Sequence, residues 1–449
     1  MQKSDSSVLL RGGTIVTMNP KREIGKGDVY IEDGRIRGIG AQASAGRKVD
    51  EIVDCSDCLI VPGFVQPHIH LCQTLFRGGA DDLELLDWLK LRIWPFEAAH
   101  DYDSLFASAM LGAAELLLSG TTAILDMGTV HHTDAIFEAA SRLGLRATIG
   151  KAMMDFGDDI PLGLQETTEF SLEESLALAA RWHGKDNDRL RYAFAPRFVL
   201  SCSEKLLKAV VFEARSRGLG IHTHASENRN EMQAVKDVCG MDNLSYFESI
   251  GMVGDDTVLA HCVHVSDEGM NMLAETGTHV AHCPSSNLKL ASGIAQIPEM
   301  LERGINVGLA SDGAPCSNTL DQFVQMRLAG LIQKPRLGPT TMPAEKIVEL
   351  ATINGAKALG LESEIGSLVE GKKADIAIID ATGFHLAPAE NPYSMLAYAC
   401  RATDVLHVLT DGEFRVRDRR LVGNDIRKIA AAARHQSAVL QKRLQKNDA

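Results

Sequence analysis

The sequence predicts an α/β protein: a (β/α)8 TIM barrel with a small β-sandwich built from both termini. Three observations predict it. Between residues 60 and 312, eight short apolar or alternating segments recur, each followed by a helical pattern. The two ends are instead strand-rich and punctuated by turns, and neither is long enough to bury a core alone. A chain of 449 residues, 45% hydrophobic, also has apolar material for one large unit and a smaller one.

Taken in chain order, residues 8–60 alternate short strands with turns, as in "LLRGGTIVTM" and "GDVYIEDGRIRGIG". The eight barrel strands are then expected in "LIVPGFVQPHIH", "TAILDM", "RATIGKAMMD", "RYAFAPRFV", "LGIHTHA", "TVLAHC", "HVAHC" and "INVGLASD". Helices are expected between them, among others over Asp103–Ser119, Ser203–Arg217 and Asp267–Thr276, with Ser or Asp as N-caps and Gly close after several. Eight strand–helix units suit a closed barrel better than a doubly wound sheet, which uses fewer strands. The strand texture returns in "KKADIAIIDATG" and "VLHVLTDGEFRVRDRRLVG", so residues 1–62 and 363–449 are expected to form the composite sandwich and 63–362 the barrel. A last helix over Ile426–Leu444, rich in Ala, Lys, Arg and Gln, is expected to lie on the surface.

Composition narrows the function. A formal net charge of −13 with no basic cluster argues against nucleic acid as a partner. The N-terminal residues lack the apolar core of a secretory signal, and there is no uninterrupted apolar run of membrane-spanning length, so a cytoplasmic protein without membrane association is expected. Nine scattered cysteines, an odd number in apolar surroundings, fit reduced thiols. Cys55 and Cys58 have redox or zinc-knuckle spacing, but no second such pair follows, and they read as structural filler. Homo-oligomer formation is left open.

The chemistry begins in "PGFVQPHIHLCQTLFRG". Side chains alternate along a strand, so His68 and His70 project to one side, and at the end of the first barrel strand they would stand at the C-terminal mouth, where barrel enzymes keep their active sites. Two histidines alone also fit a packed, hydrogen-bonded pair. More candidates follow at later strand ends: His222, His224 and Glu227 in "GIHTHASENRNE", His261 in "LAHCVH" and Asp312 in "GLASDGAPCSN". Imidazole and carboxylate are ligand types that hold Zn²⁺ or Fe²⁺ with a position open for water.

At this point the sequence resembles the amidohydrolase superfamily, and within it the guanine, cytosine and adenosyl-type deaminases and the triazine hydrolases. The segments that carry the resemblance are "PGFVQPHIH", "HTHASE", "AHCVHV", "HCPSSNLKLASG", "GLASDGAPCSNTLD" and "EIGSLVEGKKADIAIID", spread over nearly the whole chain. It implies one divalent metal ion, zinc first and ferrous iron second, held by His68, His70, His224 and Asp312. Binuclear relatives use a carboxylated lysine at the end of strand four, which "FAPRFVLS" does not offer. It further implies that Asp312 accepts a proton from a metal-activated water, whose pKa falls from ~15.7 toward ~7. His261 then orients the attack, and Glu227 protonates the ring nitrogen and then the leaving amine. His222, His264 and His282 are expected to pack or to support the ligands.

The implied substrate is a small amino-substituted N-heterocycle. "GKAMMD", "ETTEFSLEES", "PRFVLSCSE" and "HASENRNE" resemble guanine deaminases, in which residues matching Gln73 and Arg197 hold the purine, and guanine is the first expectation. "FRGGADDLELLDWLKLRIWPFEAAH" instead resembles the S-adenosylhomocysteine and methylthioadenosine deaminases and the triazine hydrolases. In the adenosyl-type enzymes the glutamate matching Glu97 binds ribose hydroxyls. An adenosyl-nucleoside deaminase is therefore the alternative, with a triazine amino- or chlorohydrolase behind it. A catalytically silent relative would be expected to have lost metal ligands, and all are present.

Overall fold

A computed structural model describes residues 7–388 and 390–447. The eight expected segments form one parallel sheet in chain order: Phe64–Ile69, Thr121–Met127, Arg146–Gly150, Leu190–Pro196, Gly220–Ala225, Thr257–His261, His279–His282 and Val307–Leu309. Strand eight returns beside strand one, where the Ser311 N–H donates to Gln66 Oε1 at 2.9 Å, so the sheet curls into a (β/α)8 barrel. Its lower interior is filled by small and branched side chains, among them Leu125, Ala193, Val258, Ala281 and Ala358.

The helices start and stop where their end residues dictate. Asp101 caps Tyr102–Leu118 in a reciprocal capping box with Ser104, Ser203 caps Glu204–Arg217, and Ser266 caps Asp267–Thr276. Gly218, at φ 65°, ends the second of these in the left-handed conformation that a Cβ disfavours.

Both termini meet in one nine-stranded sheet. Strand Cys58–Pro62 runs antiparallel to Ile376–Asp380, with Ile60 opposite Ile378, which joins the N-terminal strands to the C-terminal ones. The expected sandwich thus takes the form of one continuous hydrogen-bonded path. Its core draws Leu10, Ile31, Ile60, Ile376 and Leu409 from the two ends of the chain, and Cys55 and Cys58 are buried within it as free thiols.

One expectation needs correction. The last helix, Ile426–Asn447, is not merely a surface element: Ile429, Ala433 and Leu440 are buried along one stripe, and the helix packs on Tyr102–Leu118. Arg443 donates to the Ala99 carbonyl at 3.1 Å and pairs with Asp101. Its polar composition hid a narrow apolar face that braces the segment covering the barrel mouth. No described helix is long and apolar enough to cross a membrane.

Candidate active site

At the barrel mouth the first-strand histidines meet as alternation requires, their ring centroids 4.8 Å apart. Each expected metal-binding histidine has its Nδ1 engaged elsewhere. His68 Nδ1 lies 2.8 Å from His222 Nε2, His70 Nδ1 is 2.8 Å from the Met127 carbonyl, and His224 Nδ1 is 2.7 Å from the Arg197 carbonyl. The Nε2 atoms are left to converge: His70 and His224 Nε2 are 3.3 Å apart, and Asp312 Oδ1 is 3.3 Å and 3.4 Å from His68 and His70 Nε2. His68 Nε2 is buried without a hydrogen-bond partner. Burial pulls these imidazoles below their usual range, His70 down to about 3, so they are neutral and hold free lone pairs.

His222 stands behind His68, fully buried, as a support for its ring. His264 Nε2 meets the Ser292 carbonyl at 2.7 Å, away from the cluster. His282 is buried with both ring nitrogens unpartnered, a feature with no physical account in its surroundings.

Glu227 and His261 face each other across the same opening, with Glu227 Oε2 3.4 Å and Asp312 Oδ2 3.8 Å from His261 Nε2. Burial first, then the neighbouring Asp312 and Glu231 charges, holds the Glu227 carboxyl well above its ordinary range and so favours its protonated form. The backbone here is bent hard: Ser226, His261 and Asp312 have φ of 51°, 73° and 62°, a region non-glycine residues rarely occupy. Such outliers cluster where a side chain must be aimed at a price in local stability.

A narrow cavity opens onto this cluster. Gln73 and Arg197 form one wall, and Leu85, Trp88, Leu89, Phe198 and Leu290 form an apolar outer part. Glu97, at 2% exposure, braces the polar wall from behind: it pairs with Arg197 and accepts from Gln73 Nε2 at 2.9 Å. Gly313 is needed at the junction, because a Cβ there would sit 2.2 Å from Gln73 Oε1.

The structure therefore gathers the expected metal-binding and proton-moving residues with Gln73 and Arg197 around one opening, but sets Glu97 behind that wall in a single network with them, where the sequence read Gln73 and Arg197 toward guanine and Glu97 toward ribose hydroxyls. It also adds three residues. Asn287 Oδ1 meets His261 Nδ1 at 2.9 Å, Trp88 Nε1 is buried without a partner, and Glu231 lines the cavity. Glu231 stands three residues after Asn228 and completes a readable capping box. Trp88 gave no such signal: nine residues from Glu97, it would lie about 180° away on a regular α-helix. The covering segment runs Leu85–Trp88, then a wide turn over Leu89–Ile93 in which the Trp94 N–H donates to the Leu89 carbonyl, then Trp94–Ala98. That turn absorbs one extra residue, so that Trp88 lines the pocket while Glu97 stands behind its polar wall.

Outside the opening, His131, Glu166 and Glu174 have cation-binding spacing, but the buried Lys151 ammonium already lies among them, 2.5 Å from Glu166 Oε1 and 3.2 Å from Glu174 Oε2.

The barrel, the sheet shared by both termini and the histidine and aspartate cluster at the mouth agree with a sequence match to the amidohydrolase family over residues 59–415. The chain belongs to that family. It is thus a hydrolase acting on carbon–nitrogen bonds. Similar relatives include the 5'-deoxyadenosine deaminase of Methanothermobacter thermautotrophicus, 40% identical over 93% of this chain and 95% of that protein. Another is the 5-methylthioadenosine/S-adenosylhomocysteine deaminase of Haloarcula marismortui, 38% identical over 98% and 99%. Among solved structures, an adenosine deaminase from Xanthomonas campestris with bound zinc superposes with a TM-score of 0.92 at 28% identity, covering 97% of this chain and 99% of that one.

Proposed function

We propose that this amidohydrolase removes the 6-amino group of an adenosine-type nucleoside by hydrolysis, releasing ammonia and leaving a carbonyl on the ring. The observation that carries the reading is the facing pair Glu227 and His261, 3.4 Å apart, beside the Asp312 and histidine cluster. The relatives named for 5'-deoxyadenosine and methylthioadenosine support the nucleoside over guanine, the first expectation from sequence.

His68, His70, His224 and Asp312 would hold one divalent ion, with zinc favoured over iron by the ligand types and by the zinc-bearing adenosine deaminase. The fit is chemical: three neutral imidazoles with their Nδ1 atoms engaged present Nε2 lone pairs beside a carboxylate. Bound there, the ion would lower the pKa of a water from ~15.7 toward ~7.

The chain's own groups move the protons. Asp312 takes a proton from the attacking water, and His261, steadied by Asn287, orients the attack and neutralises charge building on the new oxygen. Glu227 gives its proton to the ring nitrogen next to the attacked carbon, takes the proton of the new hydroxyl as the carbonyl forms, and passes it to the departing amine as the carbon–nitrogen bond breaks; the proton held by Asp312 then restores Glu227. The mouth is covered by Leu85, Trp88 and Leu89, which exclude bulk water.

Substrate choice follows from the wall. Arg197 is committed to Glu97, so it is not a free cation for a guanine carbonyl. A ribose diol can donate a hydroxyl to Gln73 Oε1, which has no partner, and accept from Arg197, while Glu97 holds both side chains from behind and does not itself face the cavity. Trp88 Nε1 supplies one more donor. Beyond them Leu85, Leu89, Phe198 and Leu290 suit a small apolar 5' end such as a 5'-deoxy or 5'-methylthio group. Ammonia release from 5'-deoxyadenosine, methylthioadenosine, S-adenosylhomocysteine, adenosine and guanine tests the reading. Turnover of guanine alone would overturn it.

A further inference from the structure

Glu231 takes no part in the steps above, yet it is 1% exposed, lines the cavity and lies close enough to Glu227 to raise its pKa. It occupies the first turn of helix Arg229–Cys239, where Asn228 is the N-cap. In an ordinary capping box the third helical side chain reaches back to the N-cap N–H, a job an exposed glutamate performs as well. Here the same oxygen takes two donors: Glu231 Oε2 accepts from the Glu227 N–H at 2.9 Å and from the Asn228 N–H at 3.3 Å. Its other oxygen accepts from Asn243 Nδ2 at 2.6 Å.

The turn is also held from the opposite side. The Ser226 carbonyl accepts from the Val263 and His264 N–H groups at 2.9 Å and 3.0 Å, just past His261. The backbone of Glu227 is therefore clamped between Glu231 and the strand-six loop, and that clamp sets where its carboxyl stands relative to His261. Burying a second carboxylate beside the first is costly, and a cap alone does not require it.

We propose that Glu231, fixed by Asn243, is a positioning residue for proton transfer by Glu227. The inference rests on Glu227 being the proton carrier. The test uses the full-length, metal-loaded enzyme and follows kcat, KM, metal content and thermal unfolding. Glu231→Ala should lower kcat by ~10-fold or more with KM changed by less than about threefold, because a misaimed group loses rate before affinity. Glu231→Gln should restore kcat to within about threefold of wild type, since its amide oxygen can accept the same backbone N–H groups. Metal content should stay unchanged in both. Wild-type kcat in Glu231→Ala, or a loss that follows metal loss, overturns the proposal. If Glu231→Ala does not fold, Asn243→Ala decides: it frees one oxygen and leaves the cap, and it should lower kcat while KM holds, an unchanged kcat overturning the idea. A fully active Glu227→Gln would instead refute the role of Glu227 itself, whatever the Glu231 variants do.

Discussion

Arg197 and Glu97, a hundred residues apart in the chain, meet as a two-pronged ion pair inside the pocket wall, Nη1 to Oε2 at 2.6 Å and Nη2 to Oε1 at 3.2 Å. Both are buried, so neither can lose its partner without stranding a charge away from water.

Arg197→Ala and Glu97→Ala should consequently resemble each other. Each should cost ~3–5 kcal/mol in stability and most of kcat/KM, whereas the double replacement should cost clearly less than the sum of the singles. Denaturant unfolding of all four proteins measures this. Additive losses would mean that the two side chains act independently.

One divalent ion per chain is expected on metal analysis. His68→Ala or His224→Ala should release it, lower the unfolding temperature modestly and abolish turnover, since each removes a neutral nitrogen from the convergent set. Two ions per chain at full occupancy would contradict the ligand set.

Glu227→Gln should retain the metal while kcat falls by at least ~10²-fold, the low end for loss of a general acid–base group. His261→Ala should act in the same direction. Wild-type rates in both would move the chemistry to other residues.

Substrate preference should follow the apolar outer pocket. kcat/KM for 5'-deoxyadenosine or methylthioadenosine should exceed that for S-adenosylhomocysteine by ~10-fold or more, because a charged amino-acid tail would be desolvated beside Leu85, Leu89 and Leu290 without a free partner. Equal values would show that the tail escapes to solvent.

Asp126 gives a pH prediction. Burial pushes its carboxyl from 3.8 up to about 8, although Oδ1 accepts from the Leu71 N–H at 2.7 Å. Between these values the unfolded chain releases a proton that the folded one keeps, so this group erodes stability as pH rises from about 4 to 8. Asp126→Asn keeps the acceptor and removes the titration. Relative to wild type it should gain stability across that window, with no such gain developing below pH 4. Unfolding free energies at pH 4, 6 and 8 measure it, and a constant difference would mean that Asp126 is already ionised.

What the sequence determined by itself is what local pattern encodes. Strand one could be read because alternation puts His68 and His70 on one face, and helices such as Glu204–Arg217 because Ser203 and Gly218 mark their ends. The family motifs supplied Glu227, His261 and Asp312 because short segments at strand ends carry them intact. Tertiary structure alone decided which distant groups meet. Barrel closure brings Arg197 to Glu97, sets His222 behind His68 and ties Glu227 to Glu231 and Asn243. The last helix shows the same limit, since its polar sequence reads as exposed until Leu440 is seen against the mouth-covering cluster. A residue's own window reports its period and polarity, but the partner that offsets its buried charge arrives from another part of the chain and becomes fixed only when the barrel packs.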